Sequence, residues 1–365
     1  MANKKPFGWR VVLFEDSEDK AKAFATAFRK ELGSEIAVEQ FDVGSKAQEA
    51  TAQTYEDRLV KALKPHENIC LIVSDRDIST AKGYLGLSEA VVVKAARVIG
   101  VPVGVYATGK TDDVLERAKT GGDGRIVLDA SDLGAFAAEV GRIARGMVEM
   151  RREIDALWKG AERKFRGPAA VLAHILGQKD IEEHLSLYVR GDQRMVAEFL
   201  AEKRSQIHAK PNSRHVATAL GIWFFDSVLR FPGVLLDVVA AASFLGVSVA
   251  SLEQPSVLKV FQNACYLGPF SGPRSRFWWR HLLSELLSEA KVSSGRELLK
   301  KKGKRVGPSH CTAGSHSRAG FVCVVTHQAV CDEHSVGQIS WLPRGADLAR
   351  VRMDIFEEIA PWIGM

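Results

Sequence analysis

A chain of 365 residues with 46% hydrophobic content can form two or three domains with ordinary buried cores. Its net charge of +6 is mildly basic, which permits weak contact with nucleic acid or phospho-ligands and demonstrates neither. Five cysteines, an odd number with Cys70 inside an apolar run, exclude a disulfide scaffold and imply a reducing, cytoplasmic compartment. No apolar core follows the polar start, so no signal peptide is expected. The longest apolar stretch, 233–252, carries Asp237 and several serines and reads as a buried helix with a turn at Gly246, not a membrane span.

In chain order, residues 9–14 read as a first strand. A helix follows from Asp16-Ser17 to Leu32, with Ala23, Phe24, Ala27 and Phe28 on its buried side and Gly33 ending it. Residues 35–41 alternate as a second strand, and a long polar helix over 45–63 stops at Pro65. The run Ile69-Cys70-Leu71-Ile72-Val73 reads as a strand buried on both faces, which belongs in the middle of a parallel sheet. It ends in Ser74-Asp75-Arg76-Asp77. A helix over 88–99, a strand over 101–106, a loop with a short helix over 109–119 and a fifth strand over 125–128 complete a doubly wound α/β pattern. No Gly-x-Gly-x-x-Gly follows the first strand, which argues against a dinucleotide fold. Adjacent first and third strands would bring Glu15, Asp16 and Asp75 together at their carboxyl ends. Three carboxylates that close need a cation or raised pKa values, and Mg²⁺ is the simplest oxygen-liganded answer.

These pieces resemble a response-regulator receiver domain of the CheY-like family. The resemblance rests on Leu13-Phe14-Glu15-Asp16, Val73-Ser74-Asp75-Arg76-Asp77, Val101 to Thr108 and Gly124 to Leu128, and covers residues 1–135. It implies Asp75 as the phosphoacceptor of a phosphorelay, with Mg²⁺ held by Glu15, Asp16 and Asp75 and by the backbone carbonyl of Asp77. Two positions depart from the family pattern. The fourth strand should end in Thr or Ser, but Ala107 is there and Thr108 comes one place late. The fifth should end in Lys-Pro, but the residues are Leu128-Asp129, and leucine cannot replace a charge. The expectation is a pseudo-receiver that holds the metal and has lost the response to phosphate. A receiver still phosphorylated on Asp75 is the alternative.

The last receiver helix continues into a linking segment, residues 136–166. Phe136, Val140, Ile143, Met147, Met150, Ile154 and Leu157 follow a heptad rhythm. The sharp expectation is a coiled-coil seam in a homodimer; the plain one is a long helix packed along the second domain. Residues 167–300 read as an all-α effector domain. Within it, Arg274, Arg276 and Arg280 interleave with Phe277, Trp278 and Trp279. That pattern suits phosphate contact and base stacking, or simply a buried tryptophan pair beside a solvated helix start.

Residues 301–365 read as a small Cys/His-rich module after the run Lys300 to Arg305. Cys331-x-x-His334 has the spacing of half a zinc site, with Cys323 upstream and Cys311, or His316 in its stead, as the remaining ligand. Thiol catalysis by Cys331 or Cys323 beside a histidine is the competing use. The whole is expected to be a bacterial signal-transduction protein that acts by binding a protein partner, a sensor or an effector. By analogy with other degenerate receivers joined to unassigned output domains, regulation or an antiphage conflict system would be its setting. A nucleic-acid-binding effector and an enzyme with no recognisable catalytic set are the other readings.

Overall fold

The computed structural model describes residues 8–41, 52–76, 78, 87–107, 124–159, 165, 167–189, 212–314, 318–337 and 339–360. The chain divides into two compact units. The first takes residues 1–113, 122–164 and 197–222, and the second 114–121, 165–196 and 223–365. Among the described residues, no helix is long and apolar enough to cross a membrane.

The first unit is built on five strands: β1 (Trp9–Phe14), β2 (Ile36–Gln40), β3 (Ile69–Asp75), β4 (Val103–Ala107) and β5 (Arg125–Asp129). Their order is β2-β1-β3-β4-β5 and every neighbouring pair is parallel. The expected α/β sheet is therefore present, with the most apolar strand, β3, at its centre and buried along its length. β1 and β3 are in register from Val11↔Leu71 to Phe14↔Ser74, so the residues that follow them emerge side by side.

Helix α1 (Glu18–Leu32) starts at Ser17, whose hydroxyl accepts the Lys20 N–H at 3.4 Å, and ends at Gly33 with φ 64°. Its buried stripe is Ala21, Phe24, Ala25, Phe28 and Leu32; Ala23, expected inside, is exposed. Helices α2 (Ala52–Leu63) and α3 (Glu89–Ile99) pack together over a core that includes Val12, Phe14, Ile72, Val103 and Val105. Helix α4 (Leu133–Lys159) packs on α1. Phe136 lies 5.2 Å from the rings of Phe24, Phe28 and Tyr106, mostly edge to face.

The heptad seam on α4 is used inside this chain. Val140, Ile143, Met147, Met150 and Ile154 are all buried, and Leu157 is half-buried. At the α1 end, Arg145 pairs with Glu31 at 3.1 Å and Gly141 leaves room only for the Glu31 stem. Further along, Gly221 lies so close to Met147 and Met150 that a Cβ there would sit 2.7 Å from the Met147 sulfur. The seam side chains are therefore buried within this chain, where α1 and a helix from residues 213–222 pack against them, so the 3.5-residue rhythm is used in intramolecular packing.

That helix, Ser213–Trp223, is capped by Asn212, whose Oδ1 accepts the Arg214 N–H at 3.0 Å. Its first turns dock below the sheet. Arg214 donates to the His66 carbonyl at 3.3 Å and Thr218 to the Gly100 carbonyl at 2.8 Å, just before β3 and β4 begin. Gly100, with φ 68°, faces the His215 ring so closely that a Cβ would meet it at 2.8 Å.

The second unit corrects the all-α expectation for residues 167–300. Helices do form at Pro168–Ile175, Val238–Leu245, Arg280–Glu289 and Gly295–Lys301. Between them run β6 (Leu235–Leu236), β7 (Cys265–Tyr266) and β8 (Phe277–Trp279), an antiparallel sheet in the order β6-β8-β7. A second sheet, in the order β10-β9-β12-β11, joins β9 (Phe321–Cys323), β10 (Gln328–Val330), β11 (Ser335–Val336) and β12 (Ala349–Arg352). Val322 and Leu348 share one core with Ala241, Trp278 and Leu283, so the Cys/His segment is built into this unit. Asp237 caps Val238–Leu245 by accepting the Ala240 N–H at 2.8 Å, and Gly246 closes that helix with φ 72°, the turn expected there.

Candidate functional site

The parallel order of β1 and β3 delivers the acidic cluster. One oxygen each from Glu15, Asp16 and Asp75 lies within 4.8 Å of the others. Glu15 is buried and Asp16 and Asp75 are half-buried. The remaining proposed ligand, Asp77, lies outside the described residues.

Glu15 is held from two sides. Its Oε1 accepts the Ser17 N–H at 2.8 Å, which turns the chain into α1, and its Oε2 accepts the Tyr106 hydroxyl. Tyr106 is wholly buried, reaching up from β4 through the aromatic cluster of Phe24 and Phe136. Burial raises the Glu15 pKa above the ordinary carboxyl value, and the charge of Asp75 adds to the rise; the Tyr106 and Ser17 hydrogen bonds oppose it. Burial pushes the Tyr106 phenol upward, and Glu15 reinforces that, so Tyr106 stays the donor. The set of three oxygen donors fits a hard divalent cation such as Mg²⁺, whose charge would hold Glu15 ionised. Sequence reasoning missed Tyr106. Its bond to Glu15 spans 91 positions, and only an aromatic with a polar tip near the end of the fourth strand hinted at it.

No protein-family model and no curated protein matches this chain.

Two positions that the receiver resemblance expects to answer a phosphate are filled differently here. β4 ends at Ala107, and Thr108 lies outside the described residues. At the end of β5, Leu128 is buried and lies over Gly104 of β4, where an added Cβ would be 2.6 Å from its Cδ1. Asp129 is exposed and accepts the Ser131 N–H at 2.8 Å; the Ser131 hydroxyl first, and this N–H second, lower its pKa. Neither residue at the end of β5 is a cation. Arg125, at the start of β5, is paired with Glu89.

The second unit brings together three of the four residues of the other predicted set. One ligand atom each of Cys311, Cys331 and His334 lies within 4.8 Å of the others. Cys323 belongs to the same buried cluster. His316 lies outside the described residues.

The Arg and aromatic stretch is arranged for packing. Trp278 and Trp279 are buried within and beside β8, so neither ring is open to a base. The Arg280 Nη1 donates to both carboxylate oxygens of Asp347 at 2.5 and 2.6 Å, and the guanidinium lies over Phe244. Arg274 and Arg276 are exposed. The basic run after the helix Gly295–Lys301 instead lines a cleft of about 760 Å³ together with Arg296, Ser309, His310 and Arg318.

Proposed function

We propose that this is a bacterial signalling protein whose receiver-like unit works by contact with a protein partner and not by accepting phosphate on Asp75. One observation carries the reading: β5 ends in a buried leucine and an exposed aspartate, where a receiver needs a cation to pair with the phosphoryl group. An acid cluster that can bind a cation without a response to phosphate is suited to holding one constant surface. The family resemblance behind this reading rests on the parallel β2-β1-β3-β4-β5 order and on Glu15, Asp16 and Asp75 at its carboxyl edge.

The test is incubation with acetyl phosphate and Mg²⁺ followed by intact-mass measurement. No phosphoryl adduct is expected. An adduct that forms on the wild type and is absent from Asp75→Ala would overturn the reading in favour of a working phosphorelay.

A second reading, an effector with an anionic ligand, is favoured by the basic cleft. Arg296, Lys300, Lys304, Arg305, His310 and Arg318 converge there, and Glu297 is the single carboxylate among the described lining residues. A nucleic-acid ligand predicts binding of duplex DNA that weakens steeply with salt. Lys300→Glu with Lys304→Glu should then lower the salt slope by about 0.9 for each phosphate that a lysine no longer neutralises.

A further inference from the structure

We infer that Cys311, Cys323, Cys331 and His334 form a tetrahedral zinc site that ties the β9-β10 hairpin to the loop before it. This inference is independent of the receiver reading, since every residue lies in the second unit.

The ligands come from three separate pieces of chain. Cys311 stands in the loop after His310, Cys323 ends β9, Cys331 follows β10 and His334 closes the short 3-10 turn Asp332–His334. Backbone bonds fix those pieces before any metal arrives. Thr312 donates to the Ala329 carbonyl at 3.0 Å and Gly320 to the Val330 carbonyl at 3.1 Å. The Ser335 hydroxyl donates to the Cys331 carbonyl at 2.7 Å, which holds the Cys-x-x-His turn closed.

The geometry matches zinc. A tetrahedral ion with sulfur at about 2.3 Å and imidazole nitrogen at about 2.1 Å sets S and N about 3.6 Å apart. His334 Nδ1 lies 3.0 Å from the Cys331 sulfur and 3.9 Å from the Cys311 sulfur, on either side of that value. The same nitrogen thus faces both thiols, as a shared ion requires. Cys323 is fully buried in the same cluster, but its sulfur is not among the three ligand atoms that lie within 4.8 Å of one another, so it joins the shell by closing in on the bound ion; that sulfur accepts the Arg352 N–H at 3.4 Å. A backbone N–H aimed at a sulfur is the outer-shell support that a metal-bound thiolate uses. On binding, three thiols lose their protons to solvent and the neutral imidazole lends a lone pair.

A redox pair or a thiol nucleophile would use the residues differently. A nucleophile must reach a substrate, and Cys311, Cys323 and Cys331 are all buried. A disulfide would join two of the three thiols and leave the imidazole without a role.

The test is metal analysis of the full chain, expressed with zinc and purified without chelator, followed by exchange into cobalt. About one equivalent of zinc is expected, with a strong thiolate-to-cobalt charge-transfer band after exchange. Cys331→Ser should lose the metal. Cys323→Ser should weaken the band per bound cobalt by about a third, as one of three thiolates is removed. Less than half an equivalent of zinc in the wild type with no cobalt band would overturn the site, and so would a Cys311–Cys331 disulfide in the protein as isolated. Both readouts on the wild type stand even if a variant fails to fold. An unchanged band in Cys323→Ser would remove that residue from the shell.

Discussion

At the scale of single residues, the first unit turns on the Tyr106–Glu15 bond. Tyr106→Phe keeps the ring in its aromatic cluster and removes one donor from a buried carboxylate. The expected cost is about 1–3 kcal/mol by chemical denaturation at neutral pH. Glu15 also links stability to pH. Its folded pKa is raised, so the folded state binds that proton more tightly than the unfolded chain does. The resulting stabilisation is complete below the ordinary carboxyl pKa and is lost as pH rises through the higher folded value. Mg²⁺ should restore stability above that window, because the ion favours the charged form. In Glu15→Gln both the loss with rising pH and the magnesium rescue should shrink. Melting curves across pH, with and without Mg²⁺, measure this, and identical profiles for wild type and Glu15→Gln would refute the linkage.

At the scale of elements, α4 shows how one rhythm serves two architectures. A repeat of apolar residues every 3.5 positions describes a helix with a narrow buried stripe, whichever partner covers it. Here α1 covers one end and the helix Ser213–Trp223 another, with Gly221 permitting the close approach to Met147. Met147→Lys should therefore unfold the first unit more readily, by on the order of 3 kcal/mol, because a charge enters a core. Light scattering should meanwhile report the same mass as the wild type at equal concentration. A halved mass with unchanged stability would restore the intermolecular coil. Gly100→Ala tests the docking of the same helix from below. A left-handed φ and the His215 ring both resist the methyl group, so a loss of at least about 1 kcal/mol is expected.

At the scale of the whole molecule, two compact units with separate cores hold chemically different candidate sites, one of oxygen donors and one of sulfur and nitrogen donors. Calorimetry should show two unfolding transitions. Mg²⁺ should move only the first unit's transition, and a strong zinc chelator should lower only that of the second. A single transition that responds to both would show that the units unfold as one.

The sequence alone determined the features that local chemistry carries. The β-α alternation and the run at 69–73 located the five strands, because a strand buried on both faces must be continuously apolar. The acids after strands one and three, and the Cys-x-x-His spacing, marked both candidate sites. Gly33 and Gly246 stood out because few other residues adopt a left-handed backbone. The tertiary structure decided what depends on distant partners. β6, β7 and β8 are two or three residues long, too short to show a period, and they form only because β8 lies between the other two. The partner of the α4 seam, the attachment of residues 213–222 to the sheet and the reach of Tyr106 to Glu15 are contacts across many tens of positions. No local pattern encodes such pairings, because the same apolar stripe or buried phenol is satisfied by any surface or acceptor that the fold brings to it.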